Sequence, residues 1–172
     1  MAFYAIAALL CTLLQNELYM HLYVNQVSGG ANQNQAVVIN TGGFGRTAIT
    51  NWPIADGPAP NATVVGRAQG LHFLSSSAAE NSWYTSMNLV FEDTRFAGSS
   101  LQVMGTIPKD GQWSISGGTG ELTMARGIVN HKVIQQNGSS RIYELDVHAY
   151  YTPMNSSWVS GKLGCNSWKL GA

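Results

Sequence analysis

Few residues in this chain combine reactive chemistry with a setting that could use it, and two of them flank the end of a glycine-rich run. Glu121 follows Gly117-Gly118-Thr119-Gly120, and Arg126 comes five residues later between two small residues, Ala125 and Gly127. A carboxyl and a guanidinium at that spacing can transfer and stabilise a proton when both face an apolar pocket. Burial raises the carboxyl pKa, while the cation polarises a ligand oxygen or restrains that rise. Each also has a plainer reading, Glu121 as a solvated residue beside a turn and Arg126 as a surface cation on a strand. Asp56, before Gly57, is either a third acid or an ordinary turn residue. His72 either donates a hydrogen bond to a bound ligand or is a satisfied interior histidine.

Other chemistries are not signalled. His21, His72, His131 and His148 fall on separate segments without metal-ligand spacing, and Cys11 and Cys165 form neither a metal pair nor an adjacent redox pair. A bridge between the two cysteines is left open. The glycine-rich run lacks the Lys-Ser/Thr that completes a phosphate cradle and reads as a turn. No nucleophile-elbow serine motif occurs. With 9 basic and 9 acidic residues the net charge is +0, so nothing marks a nucleic-acid or anionic-membrane partner.

The elements that must position these residues read as strands. From Tyr19 onward apolar residues recur with period two or in short runs, without period-3.6 stretches, which predicts an all-β chain. The predicted strands are Tyr19 to Val27, Gln35 to Thr41, Phe44 to Thr50, Thr63 to Leu74, Trp83 to Phe91, Ser99 to Ile107, Gln112 to Ser116, Leu122 to Gln135 and Ser140 to Tyr151. Turn clusters such as Ser28-Gly29-Gly30, Asp56-Gly57-Pro58 and Lys109-Asp110-Gly111 separate them. Asn137-Gly138 is the strongest turn signal and joins the last two strands as a long hairpin. Closure into a barrel is favoured over a sandwich, because only 10% of residues are charged and open edges would carry few of the charges that blunt them. The 172 residues suffice for one such domain and leave no room for a second of ordinary size. Aromatic residues on these strands, among them Tyr143, Tyr150, Trp83, Phe73 and Phe91, line a pocket or fill the core.

Several motifs, in order, resemble those of the plant dirigent family. These are Phe44-Gly45, then Val65-Gly66-Arg67-Ala68-Gln69-Gly70, Ser82-Trp83, Phe96-Ala97-Gly98-Ser99-Ser100-Leu101, and Gly117-Gly118-Thr119-Gly120-Glu121-Leu122-Thr123-Met124-Ala125-Arg126-Gly127. The resemblance spans about Leu18 to Tyr151. It implies an eight-stranded antiparallel barrel, related to that of allene oxide cyclase, assembled as a homo-oligomer (dimer or trimer) with a pocket at its mouth. It also implies an auxiliary protein without oxidase activity or cofactor. A separate laccase or peroxidase makes phenoxy radicals from monolignols such as coniferyl alcohol, and the dirigent protein orients their coupling towards one lignan stereoisomer.

By the same resemblance Glu121 and Arg126 match catalytic positions of the family, with Asp56 as a replacement acid, and Tyr23, Gln26, His72, Phe73 and Tyr143 are expected to contact ligand. Two departures stand out. Coupling members end the first strand in His-Asp where this chain has Asn25-Gln26, and tyrosines that commonly follow the Gly-Arg-Ala-Gln-Gly motif are replaced by His72 and Leu74. A binding module associated with defence or stress is therefore a second expectation. Asn25-Gln26, Trp52-Pro53 and the closing Lys169-Leu170-Gly171-Ala172 look like grass dirigents that precede a jacalin-type lectin domain. An isomerase acting on an oxidised fatty acid is a third, weaker expectation.

The barrel is expected over residues 18–151, between an apolar leader, residues 1–17, and an irregular tail, residues 152–172. The run from Ala2 to Leu14 reads as a degenerate signal peptide or a mispredicted gene start. It is too short to span a bilayer. Glycosylation sequons at Asn61, Asn137 and Asn155 fit secretion to the apoplast, and a leader that is not a functional signal peptide implies a cytoplasmic protein instead.

Overall fold

A computed structural model describes residues 15–77, 82–93 and 95–152. Among these residues nine strands make one antiparallel sheet: β1 (Asn16–Val27), β2 (Gln35–Ile39), β3 (Thr47–Ala55), β4 (Val64–Leu74), β5 (Trp83–Phe91), β6 (Ser100–Thr106), β7 (Asp110–Thr119), β8 (Arg126–Asn137) and β9 (Ser140–Tyr151). Their order is β1-β9-β8-β7-β6-β5-β4-β3-β2, and a further pairing of β1 with β3 closes the sheet. Eight strands thus form the expected barrel. β2 is a ninth, laid along the part of β3 that β1 leaves unpaired: Thr47–Thr50 of β3 pair with β2, while Ile54 and Ala55 pair with Val24 and Tyr23 of β1.

Period two fixes which side chains enter the barrel. Along β1, Leu22, Val24 and Gln26 are buried while His21 and Asn25 are exposed and Tyr23 is half-buried; along β9, Tyr143, Leu145, Val147, Ala149 and Tyr151 are buried. Trp52, Trp113, Phe91, Leu89, Leu101 and Leu145 fill the interior, each under 2% exposed. Removing one of the large aromatic side chains there costs roughly 3–5 kcal/mol.

Several expected boundaries move, β3 for instance starting at Thr47 rather than Phe44. β3 runs through Trp52, Pro53 and Ile54 instead of ending before a loop. Pro53 is tolerated because the amide of Asn51, on the same edge, reaches Asn34, whereas Pro53 falls in the interval between the β2 and β1 pairings. The strand expected from Leu122 begins only at Arg126, since Gly120–Leu122 form a 3-10 turn. Gly117, Gly118 and Thr119 belong to β7 rather than to a turn, pairing with Gln102, Leu101 and Ser100. A Cβ on Gly118 would meet the Leu122 carbonyl oxygen at 2.1 Å, so the run is glycine because the following turn folds onto it. Finally, β1 starts at Asn16, inside the expected leader.

The β8–β9 hairpin forms as expected, with Asn137 paired to Ser140 and Gly138 taking the positive φ of 54°. The apolar run Ala2 to Leu14, both cysteines, Asn155 and the closing Lys169–Ala172 lie outside the described residues.

Candidate functional site

Successive hairpins of an up-and-down barrel open at alternate ends, so the connections alone sort the reactive residues. The β4–β5, β6–β7 and β8–β9 connections share one end. The β3–β4, β5–β6 and β7–β8 connections, carrying Asp56 and Glu121 on the first and last, lie at the other.

A cavity of about 280 Å³ opens at the first end. That is just below the roughly 300–1,000 Å³ of pockets for drug-sized ligands, a fit for one phenylpropanoid-sized guest. Gln26 from the end of β1, Gln35 from β2, His72 from β4, Trp83 from β5 and Tyr143 from β9 line it, with Arg46 and Arg141 also in its wall. Three of the expected residues, Gln26, His72 and Tyr143, are therefore brought together, each under a tenth exposed.

A chain of hydrogen bonds holds the floor. The Tyr143 hydroxyl donates to Gln26 Oε1 (3.2 Å), Gln26 Nε2 donates to Gln35 Oε1 (2.9 Å), and Trp52 Nε1 donates to the same Gln35 oxygen (3.2 Å). Burial raises the Tyr143 pKa, and a hydrogen bond from Arg141 partly offsets that rise. Its phenol is thus a neutral donor at physiological pH. His72 packs against Trp52 (5.5 Å between ring centroids) and edge-on to Trp83 (5.1 Å). Its Nδ1 is buried without a partner. Burial, then the charge of Arg46, lowers its pKa to about 4, so the ring is neutral. The satisfied interior histidine weighed as the plainer reading does not describe it.

Beneath, His131 stacks on Trp113 (4.3 Å) and meets the Tyr143 ring at 6.3 Å, with both nitrogens buried and the Thr106 backbone beside the ring. Burial lowers its pKa as well. Among the described residues no metal-ligand group gathers around either histidine. Among the described residues, the one cluster with metal-compatible spacing, His21, Glu144 and Asp146, sits outside the barrel, and there Lys132 already pairs with Glu144 (2.6 Å).

The other five expected site residues are elsewhere. Glu121 is exposed at the far end, its backbone N–H donating to Ser99 Oγ (3.0 Å). Arg126, the first residue of β8, faces outward and donates to Gln15 Oε1 (2.7 Å). The expected carboxyl–guanidinium pair is thus on neither wall of the cavity. Asp56 is the plain turn residue, its carboxylate accepting the Thr63 N–H (2.9 Å). Tyr23 and Phe73 are out of phase with their inward neighbours: the Tyr23 hydroxyl meets His21 Nε2 outside the barrel (2.7 Å), and Phe73 packs on Tyr84 (5.4 Å). Sequence reasoning passed over Gln35, Arg46 and Arg141, although Arg46 and Arg141 each stand beside a glycine turn at the cavity end.

Comparison with known proteins agrees with this architecture. The family described as dirigent-like protein matches residues 17–150. Dirigent protein 1 of Arabidopsis thaliana is 30% identical over 145 residues, covering 77% of this chain and 78% of that protein. Pterocarpan synthase 1 of Glycyrrhiza echinata is 27% identical over 146 residues, covering 77% of each. A solved structure of a pterocarpan synthase dirigent protein superposes with a TM-score of 0.76 at 24% identity, over 80% of this chain and 92% of that one. The closed barrel and the matched motifs lead to one assignment: the chain belongs to the dirigent family.

Proposed function

We propose that this protein binds phenolic radicals at the barrel mouth and steers their coupling, as an auxiliary in lignan-type biosynthesis that takes its radicals from a separate laccase or peroxidase. The observation that carries this reading is the cavity itself, lined by the rings of Trp83 and His72 and by the polar groups of Gln26 and Tyr143. Holding a radical in one orientation removes the wrong approach geometries, and this alone biases the product. Electrons balance without a redox group here: the oxidase removes one electron and the phenolic proton from each molecule, and the two unpaired electrons form the new C–C bond. Incubation of the folded protein with coniferyl alcohol and a laccase tests the reading. An excess of one enantiomer supports it, and racemic product at every protein concentration excludes that substrate.

Ring closure of the coupled quinone methide needs a proton donor, and among the described residues no carboxylate lines the cavity. Gln26 stands where coupling relatives are expected to carry an acid. This favours a second reading, a dirigent domain that binds a phenolic in defence or stress without cyclising it. The synthase name of one relative describes a catalysed step in that protein; the absence of a lining acid argues for an auxiliary role here. Homo-oligomer assembly is proposed with it, supported by the apolar outer face of β2–β4. There Val38, Ile49 and Leu71 are 53%, 51% and 40% exposed, and Ile49 is paired with Leu71. Secretion to the apoplast is supported by the exposed sequons at Asn61 and Asn137.

A further inference from the structure

Among the described residues the cavity wall carries two cations and no carboxylate. Arg46 immediately precedes β3 and Arg141 is the second residue of β9, and both border the opening. Among the described residues neither guanidinium forms an ion pair; the ion pairs present use other residues. Arg141 also donates to the Tyr143 hydroxyl, so its remaining N–H groups, together with the Arg46 guanidinium, are left for solvent or a guest. Deeper in, the remaining polar groups suit an acceptor too. The Tyr143 proton is already given to Gln26 Oε1, but His72, 5% exposed, holds an unpartnered Nδ1 that can carry the ring proton towards an acceptor. Gln26 cannot repel an anion as the acid expected at its position would.

Resting on the reading that this cavity is the ligand site, we propose that its preferred guest is a phenolic acid: one hydroxylated ring whose short side chain ends in a carboxylate, held by Arg46 and Arg141. Guanidinium binds a planar carboxylate through paired, charge-assisted hydrogen bonds, which a terminal alcohol cannot return. The ring lies against Trp83 and His72, and the volume of about 280 Å³ admits one such unit. Exchange of Asp for Gln on the first strand then acquires a physical meaning. It removes the like charge that would exclude an acid and, in the same step, the proton donor that a neutral coupled alcohol requires.

The test compares 4-hydroxy-3-methoxycinnamate with coniferyl alcohol, which share a ring and differ at the side-chain terminus. Binding to the full chain is followed at pH 7 by quenching of tryptophan fluorescence, in 50 mM and 500 mM salt. The acid should bind about tenfold more tightly at low salt, from two partly exposed ion pairs. High salt should shrink that margin. Arg46→Gln and Arg141→Gln should each lower the acid's affinity several-fold and that of the alcohol much less, so that the margin between the two ligands narrows. Near-UV circular dichroism verifies the fold of each variant, and the salt dependence of the unaltered chain tests the proposal without any variant. Equal binding of the two ligands overturns the acid preference and leaves the cavity as the ligand site. Saturable binding of neither overturns both.

Discussion

Lowering the pH from 7 to 5 should destabilise the barrel by about 2 kcal/mol through His72 alone. The ring is held near pKa 4 in the fold against 6.5 when unfolded. Between those values the unfolded chain takes up a proton that the folded chain refuses. The stability tied to the neutral ring is complete above about pH 6.5 and is lost as the pH falls towards 4. Over the whole window this amounts to roughly 3 kcal/mol, at about 1.4 kcal/mol per pH unit, and about 2 kcal/mol of it is expressed by pH 5. His131, lowered in the same direction by burial, adds to the loss. Glu17 does not interfere. Hydrogen bonds from Tyr19, Tyr150 and His148 hold its pKa at about 2, so its contribution stays intact above 4.5 and fades only as the pH falls below that. The assay is urea unfolding at pH 7, 6 and 5 for the unaltered protein and for His72→Phe, which keeps a ring between Trp52 and Trp83. The slopes against pH are compared rather than the absolute stabilities, so any packing effect of the substitution cancels. The variant should lose about 2 kcal/mol less than the parent between pH 7 and 5. Identical slopes would refute the burial argument for His72.

Other expectations follow from the same geometry. Tyr143→Phe removes the donor to Gln26 Oε1; it should cost about 1 kcal/mol in urea unfolding and weaken phenolic binding, as fluorescence titration would register. Glu121→Gln and Arg126→Gln, at the far end and on the outer face, should leave the affinity for phenolics within about twofold, since exposed groups away from a site act only weakly on it. Gly118→Ala places a Cβ against the Leu122 carbonyl and should cost at least 1–3 kcal/mol, roughly the range for overpacking, in the same unfolding assay. Ile49→Asp, on the apolar face of β3, should shift a homo-oligomer towards monomer in sedimentation velocity while leaving the circular dichroism spectrum unchanged.

The barrel was legible because alternation is a backbone property that apolar residues report directly. Leu22, Val24 and Gln26 share one phase, and so do His72 and Leu74, so the inward course of Gln26 and His72 was written in their neighbours. The same phase excludes Tyr23 and Phe73, and strict use of it would have removed both from the site. Counting hairpins would likewise have put Glu121 and Asp56 at the end opposite Gln26. The resemblance pointed at residue types, but the parity of the connections decides which end a loop occupies.

Gly117 and Gly118 were read as turn because glycine has no side chain with which to report a strand. The extension of β3 through Pro53 was hidden for another reason: it depends on where β2 stops and β1 begins on a shared edge, which is a tertiary fact. Arg46 and Arg141 are of that kind too. Both lie next to turns, and only the stagger of the closed barrel shows that those turns surround one opening.

The central claim is that the guest sits at the mouth among Gln26, His72 and Tyr143, and a crystal structure of the protein soaked with a phenylpropanoid phenol tests it most directly. An aromatic ring should appear against Trp83 and His72 with its oxygens within hydrogen-bond reach of Tyr143, Gln26 or the two arginines. A ring bound instead beside Arg126 and Glu121, with the mouth left to water, would contradict it.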